Sequence, residues 1–124
     1  MIDQYSFHFE KGIADFQQKN YAPALRSFSK CIQLDPKSKS SYLNHGVICN
    51  IKRIYQVAYE DFTFVIEYDP WELIAYYNRF ISLMSLRKYA EALNDLLISL
   101  SLGYVKLGVI KNDINIIEKG IKLV

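Results

Sequence analysis

The stretch "LDPKSKSSYLNHG", Leu34 to Gly46, has a close counterpart in "YDPWELIAYYNRF", Tyr68 to Phe80. In both stretches an Asp-Pro pair is followed by Tyr six residues after the proline and by Asn eight residues after it. The two prolines, Pro36 and Pro70, stand 34 residues apart. A fixed period of this length is typical of proteins built from stacked structural repeats, so this spacing predicts a repeat fold.

The same 34-residue period continues through most of the chain. Residues of the same or similar type recur at this step: Tyr21, Tyr55 and Tyr89; Ala24, Ala58 and Ala92; Phe28, Phe62 and Leu96; Gly12 and Gly46. We therefore divide the chain into three units, 3–36, 37–70 and 71–104, followed by a tail at 105–124. Because 124 residues is the length of one ordinary domain, we expect a single domain over 1–124.

Each unit is expected to form two helices, because its apolar residues recur at three- and four-residue spacing instead of alternating. In the first unit Ala24, Phe28 and Cys31 form the apolar side of the second helix. Pro36 ends that helix, since the residue before a proline is disfavoured in helical geometry. One hairpin cannot bury its own apolar face, so neighbouring hairpins must stack. The pattern predicts an all-α fold of three antiparallel helix hairpins.

In these residues the chain resembles the tetratricopeptide repeat family, whose 34-residue unit has a small residue in its first helix, an alanine in its second and a terminal proline. The resemblance covers 3–104, and "KGIADFQQKNYAPALRSFSKCIQLDP" in the first unit is close to the family pattern. It implies a right-handed α-solenoid with a helical C-terminal cap. The third unit departs, with Phe80 in the place of Gly12 and Gly46 and Tyr104 in the place of the prolines. We expect Phe80 to push this hairpin apart or to rotate away.

The tail at 105–124 is expected to supply the cap as one or two short helices. Its apolar residues are spaced for helices that cover the last hairpin, and they are Leu107, Ile110, Ile114, Ile117 and Ile121. Terminal repeats of a solenoid need such a cover because their outer face has no neighbour.

Composition and motifs exclude several functional classes. Charged residues make up 23% of the chain and the formal net charge is +2, which is too small for a surface that tracks nucleic-acid phosphates. The longest apolar run is too short to cross a membrane. Cys31 and Cys49 fit no metal-ligand spacing, and no glycine-rich phosphate loop or catalytic constellation is present. We expect a soluble, cytoplasmic, non-enzymatic protein without cofactor or metal.

In the resembled family, the first helices of successive repeats line a concave groove that holds segments of other proteins. Here an apolar stripe along the predicted first helices, with nearby asparagines, gives eleven candidate groove residues: Phe9, Ile13, Phe16, Leu43, Asn44, Val47, Asn50, Tyr77, Asn78, Ile81 and Met84. Amide side chains such as Asn44 and Asn78 can hold a peptide backbone. An alternative remains open, in which much of the stripe packs between adjacent first helices or beneath the tail and nothing binds there.

Co-chaperones of this family clamp the C-terminal carboxylate of heat-shock chaperones with lysine, asparagine and arginine side chains. At the matching positions this chain has Phe9, Ile13, Asn44, Ile74 and Asn78, of which only Asn44 agrees. Because the missing charges are those that recognise a carboxylate, the sequence predicts no binding of this kind.

One basic residue recurs in each predicted first helix, at Lys11, His45 and Arg79. These residues are expected to be solvated or paired with an acidic residue of their own repeat, such as Glu60 or Asp95, although a ladder that receives acidic partner residues is an alternative.

The leading hypothesis is a protein-protein interaction adaptor that binds an apolar or amphipathic segment of a partner. The alternative is a self-assembling protein whose groove or end face is covered by a second copy, which Phe80 and Trp71 favour.

Overall fold

The computed structural model of the chain describes residues 2–103 together with residues 115, 118 and 119. The described region consists of helices connected by short turns. The six helices of the region 2–103 are α1 (Gln4–Gln17), α2 (Tyr21–Leu34), α3 (Lys39–Ile51), α4 (Tyr55–Tyr68), α5 (Leu73–Ser85) and α6 (Tyr89–Ser101).

The helices pack as three hairpins, α1–α2, α3–α4 and α5–α6, and successive hairpins contact each other through α2–α3 and α4–α5. The first helices α3 and α5 also touch directly. The predicted all-α solenoid of helix hairpins is therefore confirmed. The exact repeat bounds and the single-domain assignment stay predictions, and the cap predicted for the tail lies outside the described residues except at 115, 118 and 119.

Local sequence signals explain where the helices begin and end. The Asp3 carboxylate accepts a hydrogen bond from the Ser6 backbone N–H at 2.8 Å, and the Ser38 hydroxyl accepts one from the Ser41 N–H at 3.2 Å, so both side chains cap their helices. Pro23 lies in the first turn of α2, where no intrahelical donor is lost. Helices α2 and α4 both end immediately before an Asp-Pro pair, as the sequence predicts.

The turn inside each hairpin uses the same unusual backbone conformation. Lys19, Arg53 and Arg87 have φ angles of 62°, 63° and 60°, and they are spaced by the repeat period. This left-handed conformation ends a helix tightly and is disfavoured for residues with a Cβ atom. The chain therefore makes the same tight turn three times without glycine.

In the first two hairpins a glycine of the first helix lets a phenylalanine ring of the second helix approach. A Cβ atom added at Gly12 would lie 2.9 Å from the Phe28 ring, and one added at Gly46 would lie 2.7 Å from the Phe62 ring. Both rings are fully buried. The glycines are required here for close packing between helices and not for a turn.

In the third hairpin the large side chain lies on the first helix and the smaller one on the second. Phe80 replaces the glycine and is only 3% exposed, and it packs in a core cluster with Leu83, Ala92 and Leu96. Of the two alternatives expected for Phe80, a hairpin forced apart is wrong, because α5 and α6 pack as extensively as α3 and α4. The residue equivalent to Phe28 and Phe62 is the smaller Leu96, which leaves room for the larger side chain on α5.

Within the described part of the chain, no helix is both long and apolar enough to cross a membrane. Cys31 and Cys49 are buried and form no disulfide.

Candidate functional site

The eleven predicted groove residues all lie on the first helices of the three hairpins, and each is partly buried. None of them is fully buried and none is fully exposed. Each of these side chains therefore has one part in contact with the protein and another part accessible from outside. The stripe therefore has a structural role on α1, α3 and α5 and at the same time presents a surface that a ligand can contact.

The apolar members pack against the cores of their own hairpins. Three hydrophobic clusters receive them: Phe9, Ile13 and Phe16 lie against the Ala24–Phe28–Ile48 cluster, Leu43 and Val47 against the Phe62 cluster, and Tyr77, Ile81 and Met84 against the Phe80 cluster. The Phe9 ring meets the Phe28 ring edge to face, with centroids 5.6 Å apart. This packing covers part of each side chain and leaves its outer part accessible, so both interpretations of the stripe stay open.

The three asparagines of the candidate site are not equivalent. Asn44 and Asn78 each donate a hydrogen bond to the backbone carbonyl one turn earlier, at 2.8 Å, and both amides remain partly exposed. Asn50 instead joins two hairpins, since its amide donates to the Asn78 carbonyl at 3.1 Å and its oxygen accepts from the Ser82 hydroxyl at 2.7 Å. Asn44 and Asn78 are therefore better placed than Asn50 to meet a ligand.

The basic residues of α3 and α5 are paired within their own hairpins. Arg79 donates two hydrogen bonds to the Asp95 carboxylate, at 2.7 and 2.8 Å, as the sequence predicts. His45 pairs through Nδ1 with Asp61 at 2.5 Å, not with Glu60, while its Nε2 lies 3.1 Å from the Ser29 hydroxyl. Asp61 was not among the predicted partners, although its spacing of 34 residues from Asp95 is a signal that indicates it.

The ring of His45 is held in its charged form. Burial opposes protonation, but the hydrogen bond to Asp61 and the charge of that carboxylate outweigh it and raise the pKa of His45 to about 9. The His45–Asp61 pair is therefore the counterpart of the Arg79–Asp95 ion pair. Both stabilise contacts between the helices of a hairpin.

One cluster brings together groups that can bind a metal ion. The nearest ligand atoms of His45, Cys49 and Asp61 all lie within 4.8 Å of one another. However, both ring nitrogens of His45 are already engaged with Asp61 and Ser29, and the pairing with Asp61 raises the pKa of the ring to about 9. A metal ligand must be a deprotonated nitrogen, so the arrangement is that of an ion pair.

The comparisons with known proteins agree with this architecture. A family model described as tetratricopeptide repeat matches residues 5–38. The chain overlays on the first TPR of Spaghetti (RPAP3) bound to the HSP90 peptide SRMEEVD with a TM-score of 0.86, at 22% identity and covering 94% of this chain and 92% of that one. The chain has the tetratricopeptide-repeat fold. The resemblance drawn from the sequence is confirmed.

Other proteins that are similar to this chain differ in length. The TPR2B domain of yeast Sti1 in complex with an Hsp70 peptide gives a TM-score of 0.80 at 17% identity, covering 98% of both chains. Human serine/threonine-protein phosphatase 5 is 34% identical over 80 residues, which are 64% of this chain but only 16% of the phosphatase. The rat enzyme gives the same values. The chain thus corresponds to a small part of the curated relatives that it matches.

One prediction about partners is wrong. The sequence analysis excluded binding of the carboxylate-clamp kind, yet the tetratricopeptide-repeat domains of RPAP3 and Sti1, which share this fold, hold HSP90 and HSP70 peptides. The exclusion rested on the mismatches at Phe9, Ile13, Ile74 and Asn78, and above all on the charge that the first two positions lack. Amide groups such as those of Asn44 and Asn78 also donate hydrogen bonds to carboxylates, and the rest of a peptide adds its own contacts. Missing lysines therefore do not exclude this class of ligand.

Proposed function

We propose that the chain is a non-catalytic adaptor that binds a peptide segment of another protein along α1, α3 and α5. The observation that carries the proposal is the combination of a fold shared with peptide-binding domains and a partly exposed apolar stripe on these three helices. The stripe favours a segment that is apolar or amphipathic.

The side chains of the stripe suggest how the segment is held. Leu43 and Val47 lie on α3, the first helix of the middle hairpin, so we take them as the centre of the contact. The amides of Asn44 and Asn78 flank this centre and can bind backbone carbonyls or a terminal carboxylate. Apolar burial supplies affinity in this arrangement, and the amides fix the orientation of the segment.

The first ligand to test is SRMEEVD, the HSP90 peptide bound by the RPAP3 domain. The peptide carries a fluorescent label, and its anisotropy is measured while the purified chain is titrated. The variants are Val47→Glu and Ile13→Glu, which place a carboxylate in the stripe. The matched control is Val57→Glu, which makes the same change at an exposed position of α4.

We expect saturable binding that Val47→Glu and Ile13→Glu weaken about tenfold or more, because each buries a charge in the contact. Val57→Glu is expected to bind as the unaltered chain does. Circular dichroism verifies that all variants keep their helices. Binding that survives both stripe substitutions in folded protein would place the site elsewhere, and no titration at all would remove this peptide class as the partner.

Self-assembly is a second candidate, favoured by one observation. Trp71, in the turn between α4 and α5, is 77% exposed. The other residue that suggested self-assembly, Phe80, is buried in the third hairpin and is not available for a contact between copies. Light scattering over a concentration series tests this candidate: a dimer that Trp71→Ser abolishes supports it, and a monomer throughout excludes it.

A further inference from the structure

A basic cavity lies between the two helices of the first hairpin, outside the stripe proposed for peptide binding. Its volume is about 250 Å³, and its lining consists of His8 and Lys11 from α1 and of Pro23, Arg26, Ser27 and Lys30 from α2. Three of these side chains carry a full positive charge. The lining contains no acidic residue.

The equivalent positions of the other hairpins have a different charge. At the place of Ser27 the second and third hairpins have Asp61 and Asp95, which neutralise His45 and Arg79. A cavity of about 370 Å³ in the third hairpin uses equivalent positions, but there the lining includes Glu91, Asn94 and Asp95 beside Arg79. The first hairpin therefore has a cavity at the same place as the third hairpin, with a serine where the third has an aspartate.

The second helix of the first hairpin also adds cations that its equivalents lack. At the position of Arg26 the later repeats have Glu60 in α4 and Asn94 in α6. At the position of Lys30 they have Phe64 and Ile98. Arg26 and Lys30 lie one turn apart on α2, so both side chains can reach the same small group.

None of the three cations of the cavity is neutralised within the part of the chain that the structure describes. The ion pairs found there involve Lys39, His45 and Arg79 only. Asp15 lies one turn after Lys11 on α1 but makes no ion pair with it, and its Oδ2 atom is buried without a hydrogen-bond partner. The Ser27 hydroxyl lines the cavity as a further donor.

We propose that this cavity, formed by Lys11, Arg26, Ser27 and Lys30, is a binding site for a phosphoryl dianion. A single small cavity that joins three cations and a hydroxyl matches a compact group with a double negative charge and three acceptor oxygens. A carboxylate offers one charge and two oxygens and leaves more of the positive charge unmatched. Three cations are too few to hold a nucleic-acid backbone tightly.

The site is tested by ¹H–¹⁵N NMR titration of the full chain at low salt. The probes are inorganic phosphate, a short peptide with one phosphoserine, the same peptide with serine, and succinate as a dicarboxylate of equal charge. We expect both phosphate probes to shift resonances of α1 and α2 in a saturable way. A phosphopeptide that binds more tightly than phosphate indicates a partner protein as the source, and equal binding indicates a small phosphate compound.

Two variants remove the proposed site by different means. Lys11→Gln with Lys30→Gln takes away two cations, and its control, Lys37→Gln with Lys52→Gln, makes the same change in net charge at exposed positions elsewhere. Ser27→Asp restores the acid of the other two hairpins, and Ser27→Asn has nearly the same size without the charge. We expect the first variant and Ser27→Asp to weaken phosphate binding about tenfold or more. The control pair and Ser27→Asn are expected to retain most of the binding.

Three results would overturn the proposal: no saturable shift with either phosphate probe, equal binding of succinate, or binding that Ser27→Asp leaves unchanged. Ser27→Asp is expected to fold, because Asp61 and Asp95 are accommodated at the equivalent buried positions. The SRMEEVD titration remains independent, since its stripe variants do not touch this cavity.

Discussion

The second and third hairpins pack their helices equally well with opposite distributions of volume. In the second, Gly46 on α3 faces the large ring of Phe62 on α4; in the third, Phe80 on α5 meets the smaller Leu96 on α6. In each of these two hairpins an ion pair joins the helices. The aspartate stands at the equivalent position in both, but its partner is His45 in the second hairpin and Arg79 in the third. These two hairpins therefore share a similar total volume and an ion pair at these positions, and neither property depends on one particular residue at each position.

The largest expected effect comes from exchanging the volumes in the third hairpin. Phe80→Gly alone should lower the free energy of unfolding by about 4–5 kcal/mol through the cavity and the loss of helix propensity. Leu96→Phe alone should cost about 1–3 kcal/mol by overpacking. The double variant, which copies the second hairpin, should lose at least about 2 kcal/mol less than the sum of the two.

Urea denaturation followed by circular dichroism measures this cycle. The control cycle combines Phe80→Gly with Gly12→Ala in the distant first hairpin, where the two effects should add. Simple additivity of Phe80→Gly and Leu96→Phe would show that the two side chains do not compensate each other.

A smaller effect is expected from filling the glycine of the second hairpin. The Cβ atom of Gly46→Ala would lie 2.7 Å from the Phe62 ring and 3.2 Å from the Asp61 Cβ atom. Because the ring is fully buried and cannot move aside freely, the substitution should destabilise the chain by about 1–3 kcal/mol in spite of the better helix propensity of alanine. Thermal unfolding measures it.

Adding Phe62→Leu to Gly46→Ala tests the reason, because it gives α4 the smaller residue of α6. The second substitution should recover part of the loss. A Gly46→Ala variant more stable than the original chain would mean that the glycine has no packing role.

A comparable or smaller effect on the free energy of unfolding is expected from pH, which should affect the His45–Asp61 pair and not the Arg79–Asp95 pair. The pKa of His45 rises from 6.5 to about 9 on folding, so the stability that it contributes is complete below pH 6.5 and is lost as the pH rises through about 9. The groups that face the ring are Asp61, Ser29 and Cys49. The loss should be roughly 1–3 kcal/mol.

His45→Arg gives the second hairpin the cation of the third. Arginine stays charged throughout this range, so the variant should show a flatter stability profile between pH 6.5 and 9. The measurement is chemical denaturation at several pH values. An equal decline in the variant and in the original chain would assign the pH dependence to other groups.

The 34-residue period, with Pro36 and Pro70, was enough to predict the hairpins, their helices and the repeat family, because helix ends and apolar spacing are local properties of the chain. The sequence also offered Asp95 as an acidic partner for the basic residues of the first helices, and Arg79 pairs with it. The groove residues stay a prediction. The sequence did not predict that Asn50 would join two hairpins, since that contact depends on how α3 rotates against α5.

Only the tertiary structure decided which side chains share a space. By sequence Phe80 is too large for its position, but in the structure it shares a core cluster with the smaller Leu96. His45 pairs with Asp61 and not with Glu60, because the face of α4 that carries Asp61 turns toward α3. The cavity of the first hairpin is also a feature of the tertiary structure, because Lys11 on α1 and Arg26 and Lys30 on α2 line it together. The sequence determined the periodic elements because their signals are local. The packing partners depend on how the helices rotate against each other, and the periodicity along a single helix does not predict that rotation.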